Sequence, residues 1–333
     1  MSAADISLYS FTVITLLVMY MIIESTEWGL SIIIPYLTKH PGDRRALARL
    51  LRPGFKGTEL CLAAGILLLM NVFPSAAAHH TVELWIGVLI VLLSLVTRLA
   101  MAWGCNGETA AARLLAWGNS LLGVAAIAIS SWMLMVLLME ISVGALPPAE
   151  WIWMPLTFLA SLWGVASLSV QGAYVVAHGT ENPLAERARA AALVLSLPMI
   201  VLYVLLFIAA SSVWNIPDKI FLSVLMGAIL LAIYVGGFVA ARRRHPAWAG
   251  WLTFGALFLT WMEFLFTMWN ILTEFVVGTT VRQYNVAPEI FWMAGIAVAA
   301  TMAAKLWRWN RPREQVLTGY EWETLRSRHG QGK

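Results

Sequence analysis

Behind Arg187-Ala188-Arg189 the chain continues AAALVLSLPMIVLYVLLFIAASSV, from Ala190 to Val213, without one charged residue. As a helix this stretch is about 36 Å long, enough to cross a bilayer hydrocarbon core of about 30 Å. Two arginines stand at its start, where cations stay at a water surface, and Pro217 follows its end, where a helix cannot easily continue. A segment with these three features is read as a membrane-spanning helix.

Working outward, the same pattern recurs along the whole chain. Of 333 residues, 60% are hydrophobic and 12% charged, with a mean hydropathy of +0.76, whereas a soluble domain carries about 25% charged residues. Apolar runs of spanning length are expected at Leu8 to Leu37, Gly57 to Ala77, Glu83 to Trp103, Leu114 to Met139, Met154 to Ala177, Ala190 to Val213, Ile220 to Ala240, Trp248 to Phe275 and Ala287 to Trp307. Pro41-Gly42, Pro147-Pro148, Pro183, Pro217 and Pro246 punctuate them. The expected fold class is an all-α polytopic membrane protein with about nine transmembrane helices, residues 1–309 forming one transmembrane domain and 310–333 a polar tail. The runs are continuous and about twice as long as the alternating segments of an outer-membrane barrel, which excludes that class.

Basic residues concentrate in the odd-numbered connections: Lys39, Arg44, Arg45, Arg49 and Arg52 in the first, Arg113 in the third, Arg187 and Arg189 in the fifth, Arg242 to Arg244 in the seventh, and Arg308, Arg311 and Arg313 after the last. Only Lys219 and Arg282 depart from this. The positive-inside rule then predicts the N-terminus outside and the C-terminus in the cytoplasm. The same placement explains the net charge of +4 without a nucleic-acid partner. Trp151, Trp153, Trp248, Trp251, Trp307 and Trp309 fall at span ends and read as interfacial anchors.

Acids inside spans are costly, by at least about 2.5 to 3.5 kcal/mol near the bilayer centre, and so point to function. Glu24 and Glu27 lie three residues apart in the first span, on one helical face. Two such carboxylates cannot both ionise cheaply, so one is expected to hold a proton, the chemistry of a proton relay or cation site. Lys56 and Glu59 are also three apart at the start of the second span, spaced either to pair with each other or to pass protons toward Glu27. Arg98, near the end of the third span, either snorkels or pairs with a carboxylate of the first two. Glu263, with Asn270 and Glu274 further along nearly the same face, makes a second polar stripe.

The six histidines, His40, His79, His80, His178, His245 and His329, fall in connections, at span ends or in the tail, so mid-membrane bis-histidine haem ligation is not expected. Cys61 and Cys105 lack metal-site spacing, and no P-loop, GxSxG, HExxH or CxxC occurs. No catalytic activity is expected of this chain alone, and neither a metal nor a directly bound cofactor.

One family resembles this arrangement. Subunit II of cytochrome bd-type quinol oxidases carries DGFDLGVG on its first span, a basic loop, P-x-W-D-G-N-E opening the second span, and F-P at that span's outer end. This chain reads Glu24-Ser25-Thr26-Glu27-Trp28-Gly29, then Arg44-Arg45, then Pro53-Gly54-Phe55-Lys56-Gly57-Thr58-Glu59, then Phe73-Pro74. Thr97-Arg98-Leu99-Ala100 is similar to the family's arginine segment. Gln171-Gly172-Ala173-Tyr174 with Thr180-Glu181 and Arg187-Ala188-Arg189 resembles its GA-x-YL…KT-x-G…RA stretch, and Tyr284-Asn285 with Pro288 its last span. Both acids of the first motif are glutamates here, and Lys56 reverses the charge of the family's aspartate.

The resemblance implies two four-helix bundles plus a peripheral helix, in a multi-pass protein of the bacterial inner membrane. It implies a partner, subunit I, that holds haems b and d, or b alone, and oxidises quinol while reducing dioxygen to water. Subunit II would then be the accessory, haem-free subunit, with a structural quinone, a cytoplasmic proton path through Glu24, Glu27, Glu59 and Arg98, and room for small single-span subunits and lipid. Two other classes compete: a proton- or cation-coupled secondary transporter using Glu24, Glu27 and Glu263, and an NrfD-like quinone-binding anchor of another redox complex. A transporter would be expected to show paired broken helices in matching halves, and none are visible in the sequence.

Overall fold

The computed structural model describes residues 20, 24, 26–50, 81–104, 109–143, 150–180, 183–213 and 220–277. Every regular element among the described residues is helical. We number them α1 (26–37, with residues 20 and 24 also helical), α2 (Pro41–Leu50), α3 (Thr81–Gly104), α4 (Ala110–Val143), α5 (Glu150–Gly179), α6 (Leu184–Val213), α7 (Ile220–Arg242) and α8 (Pro246–Val277). Four stretches are long and apolar enough to cross a membrane: Ala110–Met135, Pro155–Gly179, Leu184–Ser211 and Val224–Arg242. The expected second and ninth spans, and the tail 310–333, lie outside the described residues.

Local chemistry sets the helix ends. Thr109 accepts the Ala112 amide through its hydroxyl, 3.3 Å away, and caps α4. Pro41-Gly42, expected only to separate spans, instead opens α2, because proline suits a helix's first position, where no intrahelical amide donor is needed. At the end of α7 the Arg244 amide bonds the Ala241 carbonyl and the His245 amide reaches the Ala240 carbonyl at 2.9 Å. This double closure needs a left-handed residue, and Arg244 supplies it at φ 62°.

The sixth span was expected to begin at Ala190, but α6 begins at Leu184. The charged turn is kept helical because its arginines have partners: Arg189 binds Glu186 through two nitrogens at 2.9 and 2.7 Å, and Arg187 binds Asp43 at 2.8 Å. Hydropathy cannot register such pairing.

Helices α5 to α8 close a four-membered ring, each packed on the next and α8 back on α5, with α5 and α6 in the most extensive contact. Its interior holds an aromatic cluster: Trp163 lies 5.9 Å from Trp261 and 6.5 Å from Tyr203, and Tyr203 lies 5.2 Å from Tyr234, centroid to centroid. On the other side of α5, α4 packs on both α3 and α5. Helix α1 meets α5 where Gly29 faces Gly172: a Cβ on either would collide with the other helix's backbone. Two glycines are what such a backbone-on-backbone crossing requires. Outward faces stay apolar, as at Trp85, Leu89 and Val96 of α3 and Val194, Val201 and Ile208 of α6.

Candidate functional site

Tyr20, Glu24 and Trp28 recur every four residues and share one face of the first helix. All three are buried, and Tyr20 and Trp28 stack edge to face at 5.5 Å. Opposite them, α3 presents Arg98. Its Nη1 donates to Glu24 Oε2 at 2.8 Å, with side-chain exposures of only 7% and 4%. The guanidinium carbon lies 6.0 Å from the centre of the Trp28 ring, where the π face adds attraction for a desolvated cation. Of the two roles open to Arg98, the structure takes pairing rather than snorkelling. Removing one partner of such a buried pair costs about 3 to 5 kcal/mol, because the other charge is left uncompensated.

Glu27, one turn on, is half-buried and accepts a hydrogen bond from the Thr26 hydroxyl at 3.0 Å. Arg98 thus supplies Glu24 with the counter-charge that one of its two expected roles called for. Below the ion pair, the Thr97 hydroxyl donates to Asn119 Oδ1 at 3.3 Å, and Ser120 of α4 donates to the Ile32 carbonyl at 2.7 Å. Asn119 is fully buried and was not singled out from the sequence. Its signal there is weak, one amide in an otherwise apolar run.

The expected site residues of the eighth span are placed apart from this pair. Glu263 is half-buried on α8, in the ring of α5 to α8. Asn270 and Glu274 also lie on α8. Lys56 and Glu59 lie outside the described residues. Among the described residues, no group of three or more His, Cys, Asp or Glu is arranged to hold a metal ion.

A second polar knot sits at the end of the helices marked by α2. Asp43, 1% exposed, accepts the Lys39 and His40 amides at 3.2 and 3.1 Å and the Arg187 guanidinium at 2.8 Å. Arg187 also donates to the Leu37 carbonyl at 2.6 Å. Arg187, which the sequence offers as a topology marker and as part of the RA motif, therefore ties α6 to α1 and α2. In the Gln171-Gly172-Ala173-Tyr174 segment, Gln171 donates to the Gly250 carbonyl at 3.3 Å, Gly172 admits α1, and the Tyr174 hydroxyl shares a hydrogen bond with Ser196 at 3.1 Å. That motif is packing chemistry.

The family model of cytochrome bd terminal oxidase subunit II matches residues 6–310, nearly the whole chain. The chain belongs to the cytochrome bd terminal oxidase subunit II family. In solved structures, this subunit II is similar to a chain described as the structure of bd oxidase from Geobacillus thermodenitrificans, at 18% identity and a TM-score of 0.60, covering 91% of this chain and 94% of that one. At that identity the likeness is one of fold. No curated protein matches the chain. Membership of the family and the four spanning helices together make this subunit II a multi-pass membrane protein.

Proposed function

We propose that the chain is the accessory, haem-free membrane subunit of a quinol:oxygen oxidoreductase, seated in the bacterial inner membrane beside a haem-bearing subunit I. The family match over residues 6–310 carries this reading. The proposed architecture has nine spans within 1–309, the N-terminus outside, and residues 310–333 as a cytoplasmic tail. Haems, b and d or b alone, belong to the partner. This chain supports the partner, contributes a structural quinone site, and leaves room for small single-span subunits and lipid.

Reducing dioxygen to water consumes protons, and a proton path must cross low-dielectric protein with exchangeable groups at intervals. Glu24 and Arg98 are the supporting observation: a carboxylate and a guanidinium brought together from α1 and α3 and buried. A route running from Glu59 past Glu27 to Glu24, with Arg98 stabilising the ionised carboxylate between transfers, suits that arrangement. Lys56 stands beside the inlet and reverses the charge found in the family motif, so it either closes or redirects that inlet. Glu263 on α8 is a further proton-path candidate.

The test is purification of the tagged chain in mild detergent from its own membranes, with a reduced-minus-oxidised spectrum and quinol-dependent oxygen uptake. A co-purifying haem protein with that activity supports the reading. A colourless chain that comes out alone, under conditions that keep other complexes whole, would sink it.

A further inference from the structure

Four buried residues around the ion pair carry polar atoms that meet no hydrogen-bond partner among the described residues: Arg98 at Nε and Nη2, Trp28 at Nε1, Asn119 at Nδ2 and Ser94 at Oγ. They come from three helices and fall in one band. Ser94 is one turn from Arg98 on α3, Asn119 is tied to neighbouring Thr97 at 3.3 Å, and Trp28 lies 6.0 Å from the guanidinium. Among the described residues, apolar side chains flank the band: Val91 is buried and Gly87 abuts Ile129 on the Ser94 side, and Met101, Ala112 and Ala116 are buried on the Asn119 side.

Apart from the Ser94 hydroxyl, every one of these atoms is a donor without acceptor capacity. Donors shut away from water need acceptors. A further anion is disfavoured, because Glu24 already balances Arg98 and a second negative charge would stand uncompensated in low dielectric. A neutral acceptor that also passes hydrogen bonds onward is water, and buried water typically makes about three such bonds.

We infer that this band is a hydrated chamber in which ordered water joins Asn119 to Arg98, and that Asn119 is a positioning residue for proton transfer at Glu24. The second half rests on the proton-path reading above. In the proposed orientation Asn119 lies on the cytoplasmic side of the ion pair. A water held there passes a proton to the Glu24 carboxylate and takes one from the next water, so that only O–H bonds break and form.

The experiment uses the whole oxidase complex. A cryo-electron-microscopy map that resolves ordered water should show it within about 3 Å of Asn119 Nδ2 and of Arg98 Nε or Nη2. A protein acceptor, a partner carboxylate or a quinone carbonyl on those atoms would overturn the chamber. In parallel, proton uptake during a single turnover with dioxygen is timed for Asn119→Leu, Asn119→Ser and Glu24→Gln at matched haem content. Asn119→Leu should slow uptake about tenfold or more, with Asn119→Ser, which keeps a hydroxyl and leaves room for water, restoring most of the rate. Unchanged uptake in Asn119→Leu overturns the positioning role. Unchanged uptake in Glu24→Gln overturns the proton path itself and leaves the chamber to be decided by the wild-type map, which needs no variant to fold.

Discussion

Gly29 of α1 and Gly172 of α5 face each other with no room for a side chain on either: a Cβ on Gly172 would press into the Gly29 backbone, and one on Gly29 into the Leu168 carbonyl. This contact holds α1, and with it Glu24, against the rest of the molecule.

Alanine at position 172 should therefore cost about 3 kcal/mol, at the upper end for overpacking, because backbone and not a flexible side chain must give way. Gly118 and Gly255 have open space where a Cβ would go, and alanine there should be neutral or stabilising by up to about 1 kcal/mol. Thermal denaturation of the three variants in detergent checks the contrast. Equal melting temperatures would mean that the α1–α5 crossing is looser than described.

Breaking the Arg98–Glu24 pair should be strongly non-additive. Arg98→Met or Glu24→Leu alone should destabilise by about 3 to 5 kcal/mol, and the two together by less than the sum, since no buried charge is left alone. A double-mutant cycle on chemical denaturation measures the coupling, and additive costs would rule out the ion pair.

Asp43 accepts two backbone amides and the Arg187 guanidinium, so Asp43→Asn should cost about 1.5 to 3 kcal/mol through loss of charge-assisted bonds. Arg187→Lys should not substitute, because one ammonium lacks the fork that reaches both Asp43 and the Leu37 carbonyl. Hydrogen exchange of residues 38–44 should quicken in both variants. Unchanged exchange would show that α2 is held by other contacts.

Arg244 sits in the left-handed region with φ 62°, and its nearest acid, Glu186, is 3.9 Å away with both side chains exposed, a pair of little worth. Arg244→Gly should raise stability by about 0.5 to 1 kcal/mol by relieving the backbone, whereas Arg244→Val should lower it. The order of melting temperatures, Gly above Arg above Val, is the readout.

Much of the scaffold was legible from the sequence because one physical demand dominates in lipid: backbone polar groups must bond within their own helix. The apolar runs expected as spans three to eight all form helices, with ends within a few residues of those expected except at Leu184, where the Arg187 and Arg189 pairings extend the helix beyond what hydropathy registers, and four of them contain stretches long and apolar enough to cross a membrane. Helix α2 was missed because it is short and charged, and its proline reads as a stop as readily as a start.

The sequence by itself determined the class of the protein, the six long helices α3 to α8, and the residues worth watching, since a charge in an apolar run stands out by its desolvation cost. Which of those charges meet was decided only in three dimensions. Glu24 and Arg98 are separated by 74 positions, and nothing local tells a snorkelling arginine from a paired one. The choice depends on the Gly29–Gly172 crossing that brings α1 within reach of its neighbours, and on the α3–α4 packing that places Asn119 beside Thr97. Periodicity records which face of a helix is apolar. It does not record what the polar atoms on that face will find opposite them.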